Sequence, residues 1–222
     1  MTPYYTDGQV AIFHGDCREV LPEVMLPLVE LEYSQVMVTD PPYGTAHTSG
    51  WPSPWRNQQI QGDATTAVRD QIVALWEDRP ALIFGSWKMP PPVGARQALV
   101  WDKGVAAGMG DLSIPWKPNW ELIYVLGDGF HGRRDSGVIS GYTMVTRIIM
   151  GRTHPNEKPV PLLRDLIGKC LGSDVIDPFM GTGSTLVAAK EAGRRAIGIE
   201  IEERYCEIAA QRCSQEVLGL PA

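Results

Sequence analysis

Asp174-Val175-Ile176-Asp177-Pro178-Phe179-Met180-Gly181-Thr182-Gly183-Ser184-Thr185 is the stretch that decides the fold. Its apolar start reads as a buried strand, its two glycines as a turn, and Ser184 as the start of a helix. Glycine lets the backbone come close to a ligand, and open α/β sheets bind ligands at the carboxyl ends of their strands. A further strand, Arg195–Glu200, follows the helix and ends in Glu200, 23 residues beyond Asp177. A carboxylate at that place can accept both hydroxyls of a ribose. The plainer reading is a structural strand-turn-helix with no ligand at all.

Outward from this unit, short apolar runs alternate with helical patterns, which predicts an α/β fold with a mostly parallel sheet. Strands are expected at Val10–His14, Val36–Thr39, Ala81–Phe84, Ala98–Trp101, Glu121–Val125, Asp174–Asp177 and Arg195–Glu200. Helices are expected at Thr66–Trp76, Val160–Leu171, Ser184–Ala192 and Ile201–Gln215, with Gly172 and Gly193 as stop signals. Two stretches lack periodicity. Residues 45–61 form a long loop, and residues 104–153 are Gly-rich and carry Lys117, Arg133, Arg134, Arg147 and Arg152. Loops of this length are uncommon unless functional or disordered. Trp116 and Trp120 are read as core.

The Gly-rich turn narrows the ligand. A dinucleotide fingerprint wants a third glycine where Leu186 stands, and a phosphate loop wants Gly-Lys-Ser/Thr, which is missing here. Asp177, ahead of the turn, would repel a pyrophosphate and suit a cation. S-adenosylmethionine fits, with a ribose, an ammonium and a sulfonium but no phosphate. Phe179 suits either the cofactor or the core.

A second motif, Thr39-Asp40-Pro41-Pro42-Tyr43-Gly44, follows the apolar run Val36-Met37-Val38. A carboxylate and a backbone carbonyl can accept from one amino group while a ring lies beside it. That suits chemistry on the exocyclic amine of a flat heterocycle. Alone, the run reads equally well as a proline-rich turn.

The chain has 222 residues, 44% hydrophobic and 21% charged, enough for one substantial core. No apolar run approaches the roughly 20 residues of a transmembrane helix, and the first residues lack a signal-peptide pattern. Cytoplasmic residence is the default. Cys17, Cys170, Cys206 and Cys213 form no CxxC pair, so neither a metal site nor a disulfide framework is expected. A net charge of −6 and a pI near 5.2 argue against wholesale electrostatic binding to nucleic acid but leave room for a local basic face.

Taken in order, these motifs resemble the amino-methyltransferases of DNA, which modify adenine N6 or cytosine N4. The Asp40 motif precedes the Gly181 motif, as in the permuted beta class. The resemblance extends over Phe13-His14-Gly15-Asp16-Cys17, Leu99-Val100-Trp101-Asp102-Lys103 and His154-Pro155-Asn156-Glu157-Lys158-Pro159. It implies a Rossmann-like S-adenosylmethionine-dependent fold spanning residues 1–222 as one domain. Residues 45–61 would be a DNA-proximal loop and 104–153 a small target-recognition region.

By that resemblance Asp177, Phe179, Gly181, Thr182, Gly183 and Ser184 would line the methionine part of the cofactor, with Asp40 across from them. Glu200 would hold the ribose, Asp16 and Cys17 the adenine, and Asn156 and Lys158 the methionine end. Asp16 equally suits a helix N-cap ahead of Arg18–Leu21, and Lys158 a solvated charge. Asp40 and the Pro41 carbonyl, with Pro42, would orient the target amine, and Tyr43 would stack on a base flipped from double-stranded DNA. Asp at position 40 favours adenine, since cytosine-N4 enzymes of the family more often carry Ser there. Arg56, Lys117, Arg133, Arg134 and Arg147 are candidate DNA contacts. The alternatives are cytosine-N4 methylation, RNA or protein methylation on the same fold, and a catalytically silent DNA-binding module. Relatives are often dimers. A restriction nuclease partner is compatible with the reading but not required.

Overall fold

The computed structural model describes residues 1–25, 34–42, 65–104, 110–142 and 157–215. The strands among the described residues are β1 (Tyr5–Thr6), β2 (Val10–His14), β3 (Gln35–Thr39), β4 (Ala81–Gly85), β5 (Ala95–Asp102), β6 (Trp120–Leu126), β7 (Val138–Ile139), β8 (Asp174–Asp177) and β9 (Arg195–Glu200). They join one sheet in the order β1-β2-β9-β8-β3-β4-β6-β5-β7. The five central strands, β2 to β4 in that order, are all parallel. Pairing turns antiparallel at β1 and across β4-β6-β5. The described helices are α1 (Cys17–Val24), α2 (Ala67–Trp76), α3 (Val160–Ile167), α4 (Ser184–Glu191) and α5 (Glu203–Ser214).

Alternation along the strands builds two cores. Val36, Val38, Leu82, Phe84 and Val175 face Leu162, Leu163, Ala188, Ala189, Cys206 and Ala209 of α3, α4 and α5. Met37, Ile83, Ile176 and Ile199 face Val20, Leu21, Ile72, Val73 and Trp76 of α1 and α2. Strands buried on both faces read as continuous apolar runs, which is why β3 and β4 are buried at every position. Each fully buried Leu or Ile contributes roughly 1.5–3 kcal/mol. All four cysteines are free and buried.

The expected strands all form, and β2, β8 and β9 have the expected bounds. The helix that Asp16 would cap ahead of Arg18–Leu21 forms as α1 and runs on through Pro22 to Val24. Helix α3 stops at Ile167, because Gly168 caps it and Cys170 then bridges to Phe130. Trp116 and Trp120 are not core. They are 77% and 37% exposed, in and beside a segment without regular structure that packs nothing over them.

Candidate active site

The parallel strands deliver their carboxyl ends to one edge. Across β2, β9, β8 and β3 that edge carries Asp16, Glu200, Asp177 and Asp40, four acids in a row. Pairing on both sides fixes the backbone of β9 and β8, which places Glu200 and Asp177 at their ends.

Asp177 is 2% exposed. Its Oδ1 accepts from Thr39 Oγ1 at 2.6 Å and from the Phe179 N–H at 3.1 Å. Burial pushes its carboxyl up to about 6, against the pull of Thr39, Thr185 and the Phe179 amide. Glu200 accepts from the Gly181 N–H at 3.0 Å and from the Glu202 N–H at 2.9 Å. Burial raises its pKa as well, opposed by those two amides. The glycine turn is therefore tied to the last residue of the next strand.

Gly181 and Gly183 have φ of 50° and 80°. A Cβ on Gly183 would stand 2.8 Å from the Ala209 Cβ, whereas one on Gly181 would meet nothing within 4 Å. Gly183 is thus required by packing on α5, and Gly181 leaves open space in front of the turn.

Thr182 and Ser184 are buried, with their hydroxyls taken by Arg212 Nη1 at 3.0 and 3.3 Å. Arg212 also pairs with Glu157 at 2.6 Å. These two side chains brace the turn against α5, where Arg212 also donates to the Thr182 carbonyl at 2.7 Å. Phe179 is half-buried against the second core.

Asp16 lies next to Gly15, whose N–H donates to the Glu200 carbonyl at 3.0 Å. Its carboxylate N-caps α1 through the Arg18 N–H at 2.9 Å and pairs with the Arg18 guanidinium. Cys17 turns its thiol into the core, and burial pushes that thiol up to about 12. The thiol is therefore no nucleophile at neutral pH.

Asp40 follows β3, and its Oδ2 lies 2.5 Å from Lys158 Nζ. Lys158 Nζ is also 3.2 Å from Glu121 Oε2 on β6, and Lys103 pairs with the other oxygen of Glu121. Lys158 is therefore a buried partner of Asp40, not the solvated charge that the sequence left open. Sequence reasoning missed Glu121, Lys103, Thr39 and Arg212. The signal available was a charged residue, Glu121, opening the apolar run Leu122-Ile123-Tyr124-Val125.

The basic residues divide. Lys117 lies between β5 and β6 on the side of the acid row, since Asp102 and Trp120 pair at that end. Arg133 and Arg134 follow the opposite end, because Leu126 pairs with Ala81 at the start of β4 and His131 donates to the Lys169 carbonyl. Arg133 is paired there with Asp135. Their position separates them from the acid row. Tyr43, Arg56, Arg147, Asn156 and the 45–61 loop lie outside the described residues.

The pattern of donors fits the cofactor inferred from the sequence. Gly181 of the turn faces open space, the acids Asp177 and Glu200 border it, and the guanidinium of Arg212 is paired with Glu157. Such a site repels phosphate and accepts a cationic nucleoside.

Comparison with known proteins agrees with this geometry. Residues 131–211 match the N6/N4 family of DNA methylases. Over that segment the chain resembles the DNA amino-methyltransferases. The YubD protein of Escherichia coli (strain K12) is 28% identical over 224 residues, covering 89% of this chain and 87% of that one. The type II methyltransferase M2.DpnII of Streptococcus pneumoniae is 45% identical over 100 residues, covering 44% of this chain and 36% of its own length. The chain also shares its fold with the M1.HpyAVI–SAM complex, with a TM-score of 0.62 at 18% identity over 93% of this chain and 100% of that one. PvuII DNA methyltransferase, which is cytosine-N4-specific, gives a TM-score of 0.62 at 16% identity over 98% and 90%. The M1.HpyAVI structure that shares this fold was solved with S-adenosylmethionine, the cofactor that the acid-lined glycine turn suits.

Proposed function

We propose that this chain transfers a methyl group from S-adenosylmethionine to the N6 amine of adenine in duplex DNA. The observation that carries the reading is the placement of Asp40 beside Asp177 on adjacent strands, joined through Thr39. An amine-orienting carboxylate and a nucleoside-cofactor turn then share one crevice.

The cofactor supplies an electrophilic methyl on a positively charged sulfur. Glu200 would hold its ribose, Asp177 its ammonium through the turn, and the Gly15–Asp16 corner its adenine. An aromatic amine is a weak nucleophile because its lone pair is delocalised into the ring. Asp40 Oδ and the Pro41 carbonyl accept its two N–H bonds and turn the lone pair towards the methyl. Positioning and preorganised electrostatics provide the acceleration, without a covalent enzyme intermediate. The buried thiols take no part. Tyr43 stacks on the flipped base, returning about 1–3 kcal/mol of the flipping cost.

Asp at position 40 supports adenine over cytosine. On the acid-row side, Leu112, Ile114, Trp116 and Trp87 are exposed next to Lys117. That surface supports contact with DNA more than the distant Arg133 and Arg134 do. The test is to incubate the protein and cofactor with unmodified duplex DNA, digest the product and separate the nucleosides. N6-methyladenine is expected. N4-methylcytosine alone would reassign the base, and methylation of RNA or protein alone would refute the proposal.

A further inference from the structure

Four charges run inward from the crevice in alternating sign: Asp40, Lys158, Glu121 and Lys103. Lys158 is the buried link, with its side chain 8% exposed. Its ammonium lies 2.5 Å from Asp40 Oδ2, 3.2 Å from Glu121 Oε2 and 5.0 Å from the centre of the Phe84 ring. Glu121 is held on its other oxygen by Lys103, which packs 5.6 Å from the Trp101 ring centre. The members come from four places: Asp40 after β3, Lys158 before α3, Glu121 on β6, and Lys103 after β5. Phe84 of β4 lies against the Lys158 ammonium, and Asp40 and Asp177 of β8 act on one another as like charges.

Burying one ammonium beside one carboxylate is costly unless the remaining hydrogen-bonding capacity is met. Here Lys158 has two carboxylates and an aromatic face. Burial alone would push its pKa down, and Asp40 and Glu121 reverse this and hold it above the ordinary value. Burial likewise raises Glu121, while Lys158 and Lys103 bring it below the usual carboxylate range. Both groups are therefore charged at neutral pH. A flexible lysine held from behind in this way has one orientation, and it imposes one orientation on Asp40.

We propose that Lys158, seated by Glu121, is a positioning residue that acts through Asp40, holding its Oδ2 so that the carboxylate meets the target amine in a single geometry. This deepens the proposed function and rests on it. Glu121 and Lys103, distant in sequence from both motifs, become determinants of the transfer rate. The reaction itself is unchanged. The amine nitrogen forms the new C–N bond, the C–S bond breaks with its electron pair going to sulfur, and the amine then gives up a proton.

The test compares wild type with Lys158→Met, Lys158→Arg, Glu121→Gln and Asp40→Asn, alone and combined. Single-turnover transfer to duplex DNA is read beside cofactor affinity and melting temperature. Misplacing a reacting group by about 1 Å costs roughly 100-fold in rate, so Lys158→Met is expected to lose about that much at unchanged cofactor affinity. Lys158→Arg restores part of the rate, Glu121→Gln loses less than Lys158→Met, and Lys158→Met adds nothing in the Asp40→Asn background. A parallel loss of cofactor affinity would place Lys158 in the cofactor site and overturn the proposal, as would additive losses. A substrate-free arm follows the Asp40 carboxyl by NMR in carbon-13-labelled protein. Its titration midpoint rises in Lys158→Met if the pairing is real, because the positive charge beside the carboxylate is gone, and an unmoved midpoint refutes it. If the midpoint moves while wild type methylates no DNA, the pairing stands and the proposed function fails.

Discussion

Thr39 donates its hydroxyl to Asp177 Oδ1 across 2.6 Å, and Thr39 is the residue directly before Asp40. Both partners are buried. One hydrogen bond thus ties the end of β3, which leads into Asp40, to Asp177 at the end of β8. Thr39→Val keeps the shape but removes the donor. It should cost about 1–3 kcal/mol in urea unfolding, the penalty for a buried acceptor short of a partner. The same variant should transfer methyl more slowly because Asp40 loses its anchor, which single-turnover kinetics will read.

Asp177 gives the site a pH dependence whose sign is fixed. Its folded pKa, about 6, lies above its ordinary value of 3.8. The native chain therefore holds the proton more tightly than the unfolded one, and the stability it contributes is lost as pH rises through about 6. The cationic cofactor wants the ionised form. Cofactor affinity measured by calorimetry should rise between pH 5 and 7, by at most about tenfold per unit, and then level off. Asp177→Asn should flatten that profile, bind cofactor weakly, and melt higher than wild type at pH 8 in the ligand-free state.

The two glycines of the turn should respond differently to alanine. Gly183→Ala adds a Cβ 2.8 Å from the Ala209 Cβ at φ 80°, so both overpacking and strain apply. A loss of about 1–3 kcal/mol is expected. Gly181→Ala meets open space and pays only for the left-handed backbone, about 1–2 kcal/mol, but its methyl enters the ligand's side of the turn. Thermal melts will rank Gly183→Ala as the more damaging to stability. Calorimetry will show Gly181→Ala to bind cofactor more weakly than its stability loss explains.

Much of the fold was legible because its signals are local. β8, the glycine turn and β9 follow from apolar runs and glycines within a few residues of one another. The acid row follows from knowing that parallel strands end on one edge. What was not legible depends on pairing across the chain. Lys158 meets Asp40 over 118 residues of separation, and Arg212 reaches back 30 residues to the Thr182 hydroxyl. No periodicity records such contacts. Trp116 misled because a large aromatic is usually covered, and nothing in its own neighbourhood of Pro115, Lys117 and Pro118 marks the side of the sheet to which that segment returns.

Trp116 and Trp87 are 77% and 61% exposed on the acid-row side. Truncating either to alanine removes little buried area and should leave the melting temperature unchanged. If they touch DNA, affinity falls by about 1–3 kcal/mol per lost stack. Fluorescence anisotropy with a labelled duplex, at one fixed salt concentration, reads this directly. Arg133→Ala and Arg134→Ala, at the far edge, should weaken binding less.

The central claim is that Asp40 orients the amine that receives the methyl group. It is tested by measuring methyl transfer to unmodified duplex DNA for wild type and Asp40→Ala, with cofactor affinity measured on the same preparations. The prediction is N6-methyladenine from wild type, no detectable product from Asp40→Ala, and retained cofactor binding in both. Full transfer by Asp40→Ala would contradict the assignment.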